Sequence, residues 1–405
     1  VVERSELGGI CLNWGCIPTK ALLKSAEVYE YLKNAGDYGI SIQGEASPDF
    51  EAIIRRSRNV ADGMSKGIQF LMKKNKIETI EGTGKLKKDK TVEVTDADGK
   101  KTGYTAKNII LATGARSREL PNLKQDGKKI IGYREAMVLK KLPKSMVVVG
   151  SGAIGSEFAY FYNALGTKIT LVEFMPSLVP VEDEEVSKQL ERSFKKSGMK
   201  VMTSSEVLSV DTKGDLCKVT IKTKKGEEVV EAEIVLSAVG ITSNIEGIGL
   251  EEAGVEIEKG KVKVDEYYKT TADGIYAIGD IIHGPALAHV ASHEGIICVE
   301  KLAGKHVEPM DYGNIPGCTY TTPEIASVGM TEKAAKEAGY EIKVGKFPYS
   351  ASGKASAAGA KEGFVKVIFD AKYGEWLGAH LIGDHVTEMI AEVVVARKLE
   401  TTGEE

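Results

Sequence analysis

One pattern of apolar and polar positions occurs twice along the chain. Met146–Gly150 is a short β-rich run that ends in Gly150-Ser151-Gly152-Ala153-Ile154-Gly155. Helical spacing continues to about Gly166, and a second strand, Lys168–Glu173, closes on Leu171-Val172-Glu173. Val1-Val2-Glu3 matches the end of that second strand, so the first copy of the unit is expected to have its Gly-rich turn upstream. Lys90–Thr95, the Asp96-Ala97-Asp98-Gly99 turn and Lys101–Thr105 read as a β-hairpin that leads into Asn108–Gly114. Val207–Lys222, the Lys224-Lys225-Gly226 turn and Glu228–Ala232 form a similar meander before Ile234–Gly240. Each copy is thus a strand–helix–strand start, a meander, and a buried apolar strand ending at Gly, where a parallel sheet exposes its ligand-binding edge. Two nucleotide-binding domains follow, one inserted beside the other.

A third strand-then-Gly signal, Gly274–Asp280, leads into a helix expected at about Ala286–Ala303. From about Asn314 the pattern changes to short alternating runs (Ile325–Val328, Phe364–Phe369, Leu377–Ile382) and helices at about Glu332–Ala338 and Val386–Leu399, a separate α+β module. Gly and Ser cluster at Ser350–Gly359, read as an exposed loop. The closing Glu400–Glu405 has the Thr and acidic residues of an opening helix, and with the strand-like start it leads us to expect a chain cut at both ends.

Composition narrows the classes. The 405 residues are long enough for roughly two to four domains, each with its own core. Lys+Arg 54 against Asp+Glu 58 leaves a net charge of -4, with no electrostatic footprint for nucleic acid or an anionic membrane. The longest apolar runs, such as Ile234–Val239, fall far short of the ~20 residues that cross a bilayer. No signal segment opens the chain, and five cysteines are too few for a disulfide-built secreted scaffold. A soluble, cytoplasmic, multidomain protein is expected.

The strongest chemical signal is Cys11-Leu12-Asn13-Trp14-Gly15-Cys16-Ile17-Pro18-Thr19-Lys20. A disulfide needs Cα atoms within ~7 Å, whereas residues five apart in a regular helix are separated by roughly 7.5 Å of axial rise. If the two cysteines pair, the segment departs from α-geometry, and Gly15 and Pro18 are placed to permit it. The periodic run that follows (Ala21, Leu22, Leu23, Ala26, Val28, Tyr29) reads as helix, which puts both sulfurs near a helix N-terminus that favours thiolate. Two reduced core cysteines, or half of a metal site, stand as alternatives; the latter needs two further ligands, and no Cys-x-x-Cys or His-x-x-x-His partner lies nearby. Cys217, Cys298 and Cys318 are isolated and read as buried small hydrophobes.

The Cys11–Lys20 segment, the Gly150 turn and the Ile278-Gly279-Asp280 strand end together resemble the flavin disulfide oxidoreductases, and within that family the dihydrolipoamide dehydrogenases most closely. The likeness covers essentially the whole chain in the family's order. It implies an α/β fold of two Rossmann-like dinucleotide-binding domains plus a C-terminal α+β dimerisation domain. The implied bounds are an FAD domain at 1–142, an NAD domain at 143–267, a central segment at 268–313 completing the FAD domain, and a dimerisation domain at 314–405.

In the NAD domain, Gly150, Gly152 and Gly155 allow a tight turn and a close approach of pyrophosphate to a helix N-terminus. A glycine run that merely packs a helix is the bland reading. Glu173, 23 residues after Gly150, is placed to accept from an adenine-ribose diol; it repels a 2′-phosphate, and Phe174-Met175-Pro176 offers no Arg, so the reading is NAD rather than NADP. The resemblance adds Val207 and Gly240 to this pocket, although Gly240–Asn244 has no Arg where many relatives carry one. It gives Glu3 the same ribose role for FAD and assigns further FAD contacts to Glu3–Cys11, Lys20, Gly84, Thr113, Gly114, Asp280, Ala286, Leu287, Ala288 and His289. By default His289, as a helical residue, is a core histidine. Lys20 and Glu157 are implied to pair beside the flavin, between its ring and the nicotinamide; two separate surface charges are the alternative.

The reaction implied is oxidation of dihydrolipoamide, carried on a lipoyl domain of a 2-oxo-acid dehydrogenase or glycine-cleavage complex, with electrons passing through a Cys11–Cys16 disulfide and FAD to NAD. By likeness Cys11 is the interchange thiol and Cys16 lies against the flavin. The family draws its thiol base, a His oriented by a Glu, from the C-terminal tail of the other subunit of a homodimer; His380 and His385 precede that position and do not match it. Glutathione or mercuric reductase is the runner-up, disfavoured by Glu173. A nucleotide-binding chain without turnover is the alternative from another class.

Overall fold

The β-branched run Ser145–Val149 forms the middle strand of a five-stranded parallel sheet, with Met146, Val147 and Val148 almost fully buried. The structure, a computed structural model, describes residues 1–405. The sheet order is Lys200–Met202, Lys168–Val172, Ser145–Val149, Ile234–Ser237, Ile130–Ile131, every pair parallel. The helix Ala153–Ala164 links the central strand to its neighbour. The helix Glu184–Lys196 then buries Val186, Leu190 and Phe194, spaced four apart as one face of a helix requires. Beside the sheet lies the antiparallel meander Glu206–Asp211, Cys217–Thr223, Gly226–Ala232.

The chain divides into two compact units, each woven from three segments. The unit just described comprises Thr19–Ser57, Arg118–Gly240 and Gly313–Glu405. Its C-terminal part is an antiparallel five-stranded sheet in the order Gly317–Thr319, Glu324–Gly329, Trp376–Gly383, Phe364–Asp370, Ile342–Pro348. The helix Val386–Lys398 covers this sheet, and Val386, Ile390 and Val393 pack on Ala326, Val328, Ala379 and Leu381.

The other unit comprises Val1–Pro18, Arg58–Ser117 and Ile241–Tyr312. Val2–Glu3 pairs in parallel with Ile80–Glu81, and Ile109–Leu111 with Ile275–Ala277. Thr83–Leu86, Thr91–Thr95 and Lys101–Thr105 form the second antiparallel meander. Leu86, Ile109, Ile275, Ala277, Val262, Ile297 and Cys298 make its core.

The strand–helix–strand unit and the Lys90–Thr105 hairpin therefore fall where the periodicity places them, while Val207–Lys222 is two strands rather than one run and Thr83–Leu86 adds a third strand to the hairpin. Four further features differ. Ser350–Gly359 is not a loop throughout: a 3-10 turn, Tyr349–Ala351, is followed by the helix Gly353–Ala357, whose cap Ser352 accepts from the Ala355 N–H. The structure adds a 25-residue helix, Phe50–Lys74, and an edge strand, Ile342–Pro348, to the expected elements. Of Asn108–Gly114 only Ile109–Leu111 is strand, because the backbone turns through Gly114 at φ 66°.

Candidate active site

Cys11 and Cys16 form a disulfide with Cα atoms 4.7 Å apart. The short helix Gly9–Trp14 stops at Gly15 (φ −137°, ψ −118°), and a new helix, Cys16–Lys33, starts at once. This break brings the sulfurs within reach. A Cβ on Gly15 would lie 3.0 Å from the Ile10 carbonyl oxygen and 3.1 Å from Cys11 Cα, so the crossing is as close as glycine permits. One expectation is corrected here. Cys16 opens the long helix, but Cys11 sits in its own short helix, and Pro18 lies inside the first turn of the second helix, where its missing N–H costs nothing. On reduction, the Cys16 thiolate gains the N-terminal field of an 18-residue helix.

Neighbouring side chains brace the break. The buried Asn13 donates from Nδ2 to the carbonyls of Leu7 (3.0 Å) and Gly9 (2.9 Å). The Arg58 guanidinium donates to the Asn13 carbonyl at 2.7 Å and stacks 4.1 Å over the Trp14 ring. The three other cysteines are unpaired; burial raises their thiols, those of Cys298 and Cys318 to about 11. Cys217 and Cys298 are buried as expected, whereas Cys318 is only half-buried.

Lys20, one turn after Cys16 on the same helix, places its Nζ 2.8 and 2.9 Å from the two carboxylate oxygens of Glu157 on Ala153–Ala164. The two are an ion pair rather than separate surface charges. Its side chains are 32% and 6% exposed, so Glu157 depends on Lys20 for its charge balance. The backbone N–H of Tyr320 donates to Glu157 Oε1 at 3.0 Å.

At the Gly-rich turn, Gly150 has φ 95°, and a Cβ there would overlap the Ala238 carbonyl. A Cβ on Gly155 would overlap the Gly150 carbonyl, so these two glycines close turn and helix on each other. Gly152 differs: it caps Ala153–Ala164 without a side-chain bond and has nothing within 4 Å of a would-be Cβ. Bare helix N–H groups beside open space fit a pyrophosphate. Glu173 is buried, with Oε2 accepting from the Ser151 N–H (2.8 Å) and hydroxyl (2.7 Å) and Oε1 from the Met175 N–H (2.7 Å). Gly240, at φ 108°, also borders open space. The Val207 side chain points into the hydrophobic core, and its carbonyl accepts from Asn122.

In the other unit, hydrogen bonds join several residues assigned to FAD. Thr113 Oγ1 donates to the Asn244 carbonyl (2.6 Å), the Gly114 carbonyl accepts from the Asn244 N–H (2.8 Å), and Ser243 Oγ donates to the Asp280 carbonyl (2.6 Å). The half-buried Asp280 carboxylate has no hydrogen-bond partner in the chain, and burial raises it above the usual carboxylate range despite Lys261. Such a group at a strand end suits the hydroxyls of a flavin side chain. The helix Ala288–Leu302 starts at Leu287 without a side-chain cap, with Ala286, Ala288 and His289 exposed. His289 is therefore not a core histidine. Buried Glu294 on that helix accepts from the Gly279 N–H at 2.7 Å and ties it to the Asp280 turn. Glu3 Oε1 accepts from the N–H groups of Arg4 (2.8 Å) and Ser5 (2.9 Å). Gly84 lies on the meander, where a Cβ would meet Val92 at 3.2 Å and Val2 at 3.5 Å.

Comparison with known proteins gives this arrangement its family. A family model described as pyridine nucleotide-disulphide oxidoreductase matches residues 1–295, and that family's dimerisation domain matches residues 315–405. The chain belongs to the pyridine nucleotide-disulphide oxidoreductases. It is 49% identical to a dihydrolipoyl dehydrogenase of Rhizobium etli, over 100% of this chain and 88% of that protein. A dihydrolipoyl dehydrogenase of Zymomonas mobilis is 46% identical, with 99% and 86% covered. The crystal structure of LpdA from Mycobacterium tuberculosis superposes with a TM-score of 0.90 at 28% identity, covering 99% of this chain and 87% of that one. The disulfide, the ion pair and the Gly-rich turn come from separate stretches of this sequence. Arg58, Tyr320 and Glu294, which support the disulfide break, the ion pair and the Asp280 turn, belong to no motif, and Asn13 lies inside the Cys11–Lys20 segment with nothing in the pattern to mark its bracing role.

Proposed function

We propose that this chain oxidises a dihydrolipoyl group at Cys11–Cys16 and passes the electrons to NAD. The observation that carries this reading is the disulfide closed across the Gly15 break at the start of a long helix, in a chain of this family. A thiolate of the dihydrolipoyl dithiol attacks the Cys11 sulfur, forming a mixed disulfide and releasing Cys16 as thiolate. The second substrate thiol, losing its proton, attacks the substrate sulfur of that mixed disulfide. Cys11 takes up that proton and leaves as thiol, and the cyclic lipoyl disulfide forms. The substrate has lost two electrons, and the cysteine pair has gained them as the Cys11 thiol and the Cys16 thiolate. Bound FAD would supply the two-electron acceptor that links the reduced cysteine pair to NAD.

The chain's own residues divide the remaining work. Asp280, Thr113, Gly114, Glu3, Gly84 and the helix start at Ala286–His289 hold FAD, and Gly150, Gly152, Gly155, Glu173 and Gly240 hold NAD. Lys20 and Glu157 set a compensated charge pair beside the reacting centre. The dimerisation-domain match supports a homodimer, and no helix is long and apolar enough to cross a membrane. The dithiol donor is a lipoyl domain of a 2-oxo-acid dehydrogenase or glycine-cleavage complex. Three unpaired cysteines suit a reducing compartment, and we place the enzyme in the cytoplasm.

Steady-state NAD reduction by the FAD-loaded protein tests this. Dihydrolipoamide is expected to support kcat/KM at least a hundredfold above reduced glutathione, and Cys11→Ser to abolish turnover. Comparable rates with the two thiols, or an active Cys11→Ser protein, overturn the reading.

A further inference from the structure

The Lys20–Glu157 pair has a third member that comes from the C-terminal module. Tyr320 follows the strand Gly317–Thr319, within the segment matched by the dimerisation domain. Its backbone N–H donates to Glu157 Oε1 at 3.0 Å, and its ring lies under Lys20, with Nζ 4.2 Å from the ring centroid. The position is firmly built. Thr319 and Thr321 on either side are buried, and Thr321 Oγ1 donates to the Pro323 carbonyl at 2.7 Å, which holds the turn that presents Tyr320.

We propose that Tyr320 is a positioning residue for the Lys20–Glu157 pair, its backbone N–H fixing the carboxylate and its ring face fixing the ammonium. Bonds from Lys20 to both carboxylate oxygens still leave a flexible four-carbon stem on a side chain that is 32% exposed. An ammonium over an aromatic face gains an attraction independent of its carboxylate, so the ring selects one Lys20 rotamer among many. Burial raises the Tyr320 hydroxyl to about 12, so the ring stays neutral at physiological pH. The hydroxyl itself is not needed for either contact. The Tyr320 N–H adds a further donor to Glu157, a nearly buried carboxylate for which each bond counts.

This inference rests on the proposed role of the ion pair at the flavin, and its test separates the two. Tyr320→Leu removes the ring and keeps the backbone; Tyr320→Phe keeps both. In the apoprotein, the rate of Lys20 acylation by acetic anhydride, followed by peptide mass spectrometry, is expected to rise about tenfold in Tyr320→Leu and to return to the wild-type value in Tyr320→Phe. In the FAD-loaded protein, flavin reduction by NADH in stopped flow is expected to slow about tenfold in Tyr320→Leu, with rescue by Tyr320→Phe. Should Tyr320→Leu fail to fold, Tyr320→Met takes its place. Lys20 acylation or flavin reduction at the wild-type rate in the ring-less variant overturns the proposal. Flavin reduction at the wild-type rate in Lys20→Met overturns instead the reading of the ion pair.

Discussion

Glu182 has a carboxyl oxygen, Oε2, that is sealed from solvent and has no hydrogen-bond partner. Burial raises its carboxyl to about 7; a bond from Ser327 opposes this and the nearby Asp183 charge adds to it. The sign follows from where the proton is held. Between the ordinary value of 4.5 and about 7, the folded chain keeps a proton that the unfolded chain has lost, so stability falls as pH rises through that window and then levels off. The shift corresponds to roughly 3 kcal/mol. Glu182→Gln is therefore expected to leave stability unchanged at pH 4 and raise it by up to about 3 kcal/mol at pH 8, as read by urea unfolding across that range. Other residues speak more plainly in the sequence. Lys20 is legible through the likeness of the Cys11–Lys20 segment to its family, and in the structure it lies one helical turn after Cys16. Nothing at the residue level announces Glu182, whose chemistry comes from the packing around it.

Lys366 shows how an element can carry a residue that its pattern disguises. The strand Phe364–Asp370 alternates buried and half-buried positions, and Lys366 falls on the buried face. Its Nζ reaches Asp183 (2.9 Å), Glu185 (3.0 Å) and Glu332 (2.6 Å). Asp183 is also the N-cap of the helix Glu184–Lys196, and Glu332 opens Glu332–Glu337, so one ammonium ties two helix starts to a strand. Burial alone would lower the Lys366 amine, but the three carboxylates hold it well above the usual value. Lys336 and then Lys366 pull Glu332 down to about 2. Lys366→Met leaves Glu185 with Lys346 and Glu332 with Lys336, but strands Asp183. A loss of about 3 to 5 kcal/mol of unfolding free energy is expected, measured by urea denaturation. The same scale explains what sequence reading missed. Phe50–Lys74 carries a clear helical period and was legible in the sequence, although Met64, Phe70 and Leu71 are exposed, whereas Ile342–Pro348 is an edge strand whose Lys343, Lys346 and Pro348 suit an unpaired rim.

At the scale of the whole molecule, the chain enters and leaves each compact unit more than once. Ligands that bind only the folded state should therefore report on folding as well as chemistry. FAD at one hundred times its dissociation constant is expected to stabilise the apoprotein by about 2.7 kcal/mol, seen as a rise in thermal midpoint; an unmoved midpoint would count against the FAD assignment. Sedimentation of the loaded protein should give twice the mass of one chain.

Local order was written along the chain itself. The Gly150 turn, both meanders and the alternation in Phe364–Asp370 follow from backbone freedom and side-chain period, which act over a few residues and need no partner. The disulfide could be conceived from the spacing of Cys11 and Cys16 and the glycine between them, and Lys20 with Glu157 only through family likeness. Tertiary structure alone decided that Asn13 and Arg58 would brace the break, that Tyr320 would lie under Lys20, that Val207 would turn into the core, and that Glu294 would hold the Asp280 turn. Those outcomes depend on groups, some near in sequence and some hundreds of positions apart, meeting in a low-dielectric interior, where each buried donor or charge must find its complement, and no repeating pattern of apolar and polar positions encodes which partner that will be.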